Sequence, residues 1–273
     1  MTTLINGKAG TPLSADDRGL QYGDGLFETL ALRRGEPLLW ERHVQRLREG
    51  CQRLGLPMPE SGLLRDELAQ IAGSDARAVA KIIMTRGSAG RGYRATTSGT
   101  ATRIVQCLPW PAYPDSYGKA GVLVRWCKTR LARQPQLAGL KHLNRLEQVL
   151  ARAEWQDDYA EGLMCDTDGH VIEGTKTNLF LVRDDGTVVT PDLSQSGVAG
   201  VMRAQVLESA TALGMNCAIQ ETTTDMVESA QELFLTNSLI GIWPIRQIEA
   251  RHYVVGQISQ TLQAALHASD CLA

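Results

Sequence analysis

Leu137-Ala-Gly-Leu-Lys141-His-Leu-Asn144-Arg-Leu-Glu-Gln-Val-Leu150 sets one lysine between an apolar tetrapeptide and a run with helical apolar spacing. The chain carries six lysines against 22 arginines, so lysine is the rarer cation. Lys8, Lys81, Lys119, Lys128 and Lys176 lie in turn-like or mixed strand contexts, whereas Lys141 follows apolar residues and precedes a helix. An amine on apolar surroundings has its charged form disfavoured, which frees the lone pair that carbonyl chemistry uses. Taken singly, the commoner place for such a residue is a helix start with its head in water.

Working outward, Leu143, Leu146, Val149, Leu150 and Ala153 predict a helix over residues 142–155 with that face inward. Upstream, Val44, Leu47, Cys51 and Leu54 share one face of a helix that Gly55 and Pro57 end. A second helix is expected over 62–72 with Ser61 as its cap. Strands are expected at 3–6, 26–33, 37–40, 78–85, 102–108 and 122–128. Two hairpins follow, 161–166 with 171–173 about Asp168-Gly169, and 178–183 with 187–190 about Asp185-Gly186. A helix over 201–213, a strand over 232–236 and a helix over 255–268 complete the chain. Pro109-Trp-Pro-Ala-Tyr-Pro-Asp-Ser-Tyr-Gly118 is the proline-dense stretch and the best linker. The expected division is a domain at 1–113, a linker at 114–118 and a second domain at 119–273. Strands and helices mix without strict alternation, which argues for an α+β architecture.

At 273 residues, 43% hydrophobic and 21% charged, the composition is that of a soluble globular protein. A net charge of -2 gives no footprint for nucleic acid or an anionic membrane surface, so neither partner is expected. The six cysteines are scattered, without a C-x-x-C pair, so neither a metal site nor a disulfide framework is expected. Met1-Thr-Thr-Leu-Ile-Asn-Gly-Lys8 lacks the apolar stretch of a signal peptide, and the expected location is cytoplasmic.

Four features stand with Lys141 as carriers of chemistry. Glu173, in Val171-Ile-Glu173-Gly-Thr-Lys-Thr-Asn178, ends a short strand, where its carboxylate is fixed. A carboxylate facing a pyridine nitrogen keeps that nitrogen protonated, which makes the ring an electron sink. Ser196-Gly-Val-Ala-Gly200-Val201-Met202-Arg203 opens a helix, and backbone N–H groups at a helix start suit a phosphate. Arg46 lies beside the apolar face of its helix and offers a planar fork for phosphate. The glycine loop with Arg86, Arg91, Tyr93 and Arg94 suits an anionic substrate, and it is not a nucleotide loop. The first three have a plainer account: an acid at a hairpin end, a loop–helix junction, a solvated helix charge.

Together these motifs resemble a known family over most of the chain. Tyr22-Gly-Asp24-Gly-Leu-Phe27-Glu28-Thr29, His43-x-x-Arg46-Leu47, Lys141-His-Leu-Asn144, Glu173-Gly-x-x-x-Asn178-Leu-Phe180 and Gly200-Val-Met-Arg203 follow the order and spacing of fold-type IV pyridoxal-phosphate enzymes. That family includes branched-chain aminotransferases, D-amino acid transaminases and 4-amino-4-deoxychorismate lyases. The run from Arg86 to Tyr93 and that from Gly139 to Leu150 look most like the lyases.

The resemblance implies a two-domain, D-amino acid aminotransferase-like fold, with pyridoxal 5'-phosphate and the active site between the domains. It also implies a homodimer whose sites are completed across the interface. By resemblance, Lys141 is the lysine that bonds the cofactor and Glu173 contacts the pyridine nitrogen. Arg46, the N–H groups of Val201 and Met202, and Asn237-Ser238-Leu239 would hold the phosphate. The family often has threonine where Leu239 stands, so a contact there is through backbone or is absent. Tyr22, Phe27, Arg91 and Tyr93 would bind the small-molecule substrate, with Tyr22 also reaching across the dimer interface. D-amino acid transaminases are similar at Arg91 but carry histidine where this chain has Tyr93. The implied reaction takes 4-amino-4-deoxychorismate to 4-aminobenzoate and pyruvate, a step toward folate. The alternatives are a D-amino acid or branched-chain transaminase on the same Lys141 and Glu173, and a non-catalytic cofactor-binding protein.

Overall fold

A computed structural model describes residues 2–88, 90, 92–94, 100–156 and 158–273, and the chain packs as two units. The first comprises Met1–Pro111, Leu140–Asn144 and Ala273; the second comprises Ala112–Gly139 and Arg145–Leu272. The division at Pro111 falls in the proline-dense stretch, whereas Leu140–Asn144 belongs with the first unit and not with residues 119–273. The reason is local. Phe27 N–H donates to the Lys141 carbonyl at 2.9 Å and Leu143 N–H to the Gly25 carbonyl at 3.0 Å, while Leu26 bridges His142.

In the first unit a six-stranded antiparallel sheet runs in the order Lys8–Ala9, Thr2–Ile5, Thr102–Pro109, Arg77–Thr85, Gly25–Arg33, Glu36–Pro37. Along Gly25–Arg33, Leu26, Glu28, Leu30 and Leu32 are buried and share one face by the two-residue period of a strand. Helix Trp40–Leu54 packs there with Val44, Leu47 and Cys51 buried, and ends at Gly55 (φ 62°). Its approach is close at Gly50, where a Cβ would lie 2.7 Å from Leu26 Cδ1. The strand expected at 37–40 shrinks to Glu36–Pro37 because Trp40 already opens that helix. The second helix is Ser61–Ala69, so Ser61 is its first residue and not its cap.

The second unit is organised by a sheet that closes on itself. Asn178–Val182, Glu232–Asn237, Gly241–Ile248, Val122–Trp126, Glu161–Cys165 and Val171–Gly174 follow one another, and the pair Asn178 with Glu173 closes the ring. Leu163, Leu179, Leu181, Leu233, Leu235 and Trp243 belong to its core. Strand Gly241–Ile248 is not among those the sequence suggests, because Pro244 interrupts it. Edge strand Cys217–Gln220 is likewise unforeseen.

The helix after Lys141 departs most from expectation. It spans Leu146–Arg152, because the bonds to Gly25 and Phe27 keep residues 141–143 extended. Its Leu146, Val149 and Leu150 are 75, 59 and 61% exposed, so the face expected inward is outward. Ala151 is the buried residue of this helix.

Candidate active site

Lys141, Phe27, Arg46, Tyr22 and Tyr93 belong to the first unit, and Glu173, Val201, Met202, Asn237 and Ser238 to the second. Arg91 lies outside the described residues.

In the first unit the extended segment at Lys141 forms a short antiparallel partner to Gly25–Phe27, which puts Lys141 and Phe27 on one face. Lys141 Nζ stands 4.4 Å from the Phe27 ring centroid, and Lys81 Nζ stands 5.6 Å from the same ring. The lysine is therefore held at its backbone by a strand and at its head by an aromatic face.

Glu28, one residue on, points to the helix side of that strand and is 2% exposed. Arg46 donates through Nε to Oε1 at 2.8 Å and through Nη2 to Oε2 at 2.5 Å. His43 donates through Nδ1 to Oε2 at 2.6 Å. Burial alone would raise the Glu28 carboxyl, but the Arg46 charge and the bonds from His43 and Arg46 override it and lower it to about 2. Burial, joined by the charges of Arg46 and Lys141, lowers the His43 imidazole against the lift from Glu28. His43 is thus a neutral ring with its proton on Nδ1. Arg46 lies along the core, as its place on the helix predicts, in a fork fixed by Glu28.

Tyr22 ends the short helix Arg18–Tyr22, and its ring meets the Tyr93 ring edge-on at 5.6 Å. Tyr93 is itself 89% exposed. Arg86, a candidate for an anionic substrate, is committed elsewhere. It donates to both oxygens of Asp24 and to the carbonyls of Leu54 and Gly55. Burial raises the Asp24 carboxyl, but bonds from Arg86 and Arg18 hold it below its usual range.

In the second unit Glu173 sits on the pair that closes the ring of strands. Its Oε2 accepts the Val198 N–H at 2.8 Å and the Asn178 amide at 3.5 Å. Asn178 Nδ2 also donates to the Val198 carbonyl at 2.9 Å, tying the loop before helix Val201–Ala212 to the same seam. A Cβ on Gly200 would lie 1.9 Å from Asn178 Oδ1, so any side chain there would displace Asn178. The helix start carries no side-chain cap, and the first-turn N–H groups of Val201 and Met202 have no intrahelical acceptor. Arg203 is turned inward to Thr190 Oγ1 and the Pro191 carbonyl, and burial lowers its pKa.

Asn237 shapes a turn with its side chain. Its Oδ1 accepts from Leu239 N and Ile240 N at 2.9 and 3.0 Å, and Nδ2 donates to the Lys176 carbonyl at 3.1 Å. The Leu239 N–H is therefore taken within the turn, which leaves Ser238 at its apex.

Two residues escaped the sequence reading. Glu161 is fully buried and accepts from Gly162 N, Thr175 N and Oγ1, Lys176 N and Thr177 Oγ1, and so builds the turn between Glu173 and Asn178. Its partners include the threonines of Gly-Thr-Lys-Thr, a visible clue whose acceptor is twelve or more residues upstream. Arg18 is the other; it precedes Tyr22 by four residues, with no mark of its role.

The family model described as Amino-transferase class IV matches residues 25–248. The chain belongs to the class IV aminotransferase family. Within it, aminodeoxychorismate lyase of Vibrio harveyi is 36% identical over 269 residues, covering 96% of this chain and 98% of its own. The crystal structure of 4-amino-4-deoxychorismate lyase from Pseudomonas aeruginosa matches with a TM-score of 0.93 at 49% identity, covering 97% of this chain and 98% of that one. Escherichia coli branched-chain amino acid aminotransferase matches with a TM-score of 0.85 at 22% identity over 98% of this chain and 93% of that one, a likeness of fold. The fold is thus the fold-type IV aminotransferase-like one that the motifs led us to expect. A phosphate-bearing cofactor fits the residues present: the start of helix Val201–Ala212 has no side-chain cap, so its first-turn N–H groups are open to an anion, and Ser196 Oγ is a buried hydroxyl without a hydrogen-bond partner among the described residues.

Proposed function

We propose that this chain is a pyridoxal-phosphate-dependent aminodeoxychorismate lyase, which converts 4-amino-4-deoxychorismate to 4-aminobenzoate and pyruvate. The observation that carries it is the 49% identity, over 97% of the chain, to the lyase of known structure. When bound, the cofactor supplies an aldehyde carbon for amines and a cationic ring that draws electrons from the amine-bearing carbon. Lys141 would be the residue that bonds the aldehyde carbon, and its side chain would be released when the substrate binds. The freed amine then takes the proton from the amine-bearing carbon. The C–O bond to the enolpyruvyl group breaks, and Lys141, carrying that proton, returns it to the departing fragment, which leaves as pyruvate. The six-membered ring becomes aromatic, which drives the step forward.

Glu173 would lie against the ring nitrogen and keep it protonated. Arg46, the N–H groups of Val201 and Met202, and Ser238 in the turn shaped by Asn237 would hold the phosphate. Tyr22, Phe27 and Tyr93 would bind the substrate, together with Arg91, which lies outside the described residues. The product serves folate synthesis in the cytoplasm. No helix among the described residues is long and apolar enough to cross a membrane.

The working form is a homodimer. Leu146, Val149 and Leu150 support this, because an exposed i, i+3, i+4 apolar trio suits burial against a second copy. Leu150→Lys should shift the chain from dimer to monomer in sedimentation, and an unchanged dimer would remove this face from the interface.

The deciding assay uses aminodeoxychorismate made enzymatically, with 4-aminobenzoate fluorescence as the readout and D-alanine plus a keto acid as the competing reaction. Lyase turnover should dominate. Amino-acid turnover equal to or above it would make the protein a transaminase.

A further inference from the structure

Arg18 is a buried arginine whose guanidinium has several partners at once. Nε donates to Asp24 Oδ2 at 2.9 Å, Nη1 to the Gly92 carbonyl at 2.6 Å and Nη2 to the Tyr93 carbonyl at 3.2 Å. Its Cζ lies 4.8 Å from the centroid of the Tyr22 ring, which in turn meets the Tyr93 ring. The base of this clasp is fixed as well. Arg18 N–H donates to the Gly87 carbonyl at 3.0 Å, and the neighbouring Asp17 accepts from Gly19 N, Thr85 Oγ1 and Thr102 Oγ1 at 2.8 Å each. Asp24 also receives Arg86, so one carboxylate ties two arginines beneath the glycine loop.

A guanidinium has five N–H donors in a rigid plane. Here three nitrogens face a carboxylate and two backbone carbonyls, and one ring lies against the plane. Such a group is turned inward and does not reach a substrate itself. Its geometry bears on two rings that do: it supports Tyr22 from below and fixes the backbone that presents Tyr93.

We infer that Arg18 is a positioning residue for substrate specificity, setting Tyr22 and the Gly92–Tyr93 backbone in one arrangement. The inference rests on the lyase reading for the identity of the substrate. The clasp itself does not depend on that reading.

The test uses the holoenzyme carrying Arg18→Lys, which keeps the charge and loses the fork. Misplacing a binding group by about 1 Å is enough to cost one to two orders of magnitude, so KM for aminodeoxychorismate should rise about 10-fold with kcat within about threefold. Cofactor affinity and visible absorption should not move. Limited trypsin cleavage after Arg94 should quicken about fivefold, because the local opening that admits the protease becomes easier. A double-mutant cycle then separates positioning from general damage: in a Tyr93→Ala background, Arg18→Lys should add less than about twofold to KM.

Unchanged KM with unchanged cleavage overturns the proposal. So does a KM increase that is undiminished in the Tyr93→Ala background, or an equal loss of cofactor affinity. Should Arg18→Lys fail to fold, Asp24→Asn loosens the same guanidinium without emptying its site and is read in the same way. If the protein proves to be a transaminase, the lyase reading fails, while the cleavage measurement still decides the clasp.

Discussion

Glu28 and Glu173 are both nearly sealed from solvent, and they are satisfied by opposite means. Glu28 meets a charged fork from Arg46 and a ring proton from His43. At Glu173 the Oε2 hydrogen bonds come from the Val198 N–H and the Asn178 amide, and its charge also acts on the buried Arg203. A carboxylate chelated by an arginine has its charge cancelled at short range, and what it gives in return is a fixed arginine. A carboxylate held by dipoles keeps its charge for a further group. The position of each follows from topology: Glu28 lies mid-strand against a helix that brings Arg46 and His43 together, whereas Glu173 lies on the seam of a closed sheet beside a helix start. One residue type thus serves two tasks, orienting a cation in one unit and, in the function proposed above, backing a cationic ring from the other.

The largest expected effect lies beside the first of these carboxylates. Lys141→Ala should abolish lyase turnover, a fall of about 10⁴-fold or more, since in the proposed mechanism one group does both bonding and proton transfer. The visible absorption of lysine-bound cofactor should vanish with it, and undiminished turnover would refute the mechanism. Glu173→Gln comes next and tests whether the charge of that carboxylate matters. It preserves shape and neutral hydrogen bonds, so kcat should fall about 10²–10³-fold, in the range of one lost electrostatic contact at a reacting centre. A fall below about threefold would make Glu173 a structural residue like Glu28 and would erase the contrast.

Much of this contrast was legible in the sequence. The strands flanking Asp168-Gly169 and Asp185-Gly186 announced themselves through turn chemistry and alternation, and the helix start at Val201 through its glycine. The conformation of the chain around Lys141 was not legible. The apolar spacing of Leu143, Leu146, Val149 and Leu150 read as a buried helix face, whereas tertiary bonds to Gly25 and Phe27 hold the start extended and leave three of those residues exposed. Periodicity shows that a face is apolar; it does not say whether this chain or another covers it. The Glu28 pair was illegible for a related reason. Glu28, His43 and Arg46 meet only once a strand and a helix have packed, and no local signal records that meeting.

Glu28→Gln probes the charged solution directly. The folded carboxyl sits at about 2, below its ordinary 4.5, so its contribution is complete above pH 4.5 and fades as the pH falls towards 2. At neutral pH the substitution should cost about 3 kcal/mol, since each tenfold gain in acidity on folding corresponds to about 1.4 kcal/mol. Denaturant melts across this range should show the difference between the two proteins closing at the acid end. A pH-independent difference would assign the loss to packing and not to charge.

The smallest effect is expected where the neutral solution is disturbed. Asn178→Ala removes an amide that reaches the Val198 carbonyl at 2.9 Å and Glu173 only at 3.5 Å. A neutral hydrogen bond contributes about 1 kcal/mol net, so the loss in stability should be near that value and well under that of Glu28→Gln. It should also be flat from pH 4.5 to 7, because no ionisable group is removed. The same substitution opens space at Gly200, whose Cβ position Asn178 Oδ1 now occupies. In the Asn178→Ala background, Gly200→Ala should therefore cost less than it does in the native chain, where a methyl group would collide with that oxygen. Equal costs in both backgrounds would show that the glycine is required by the backbone of the loop and not by the side chain that closes the seam.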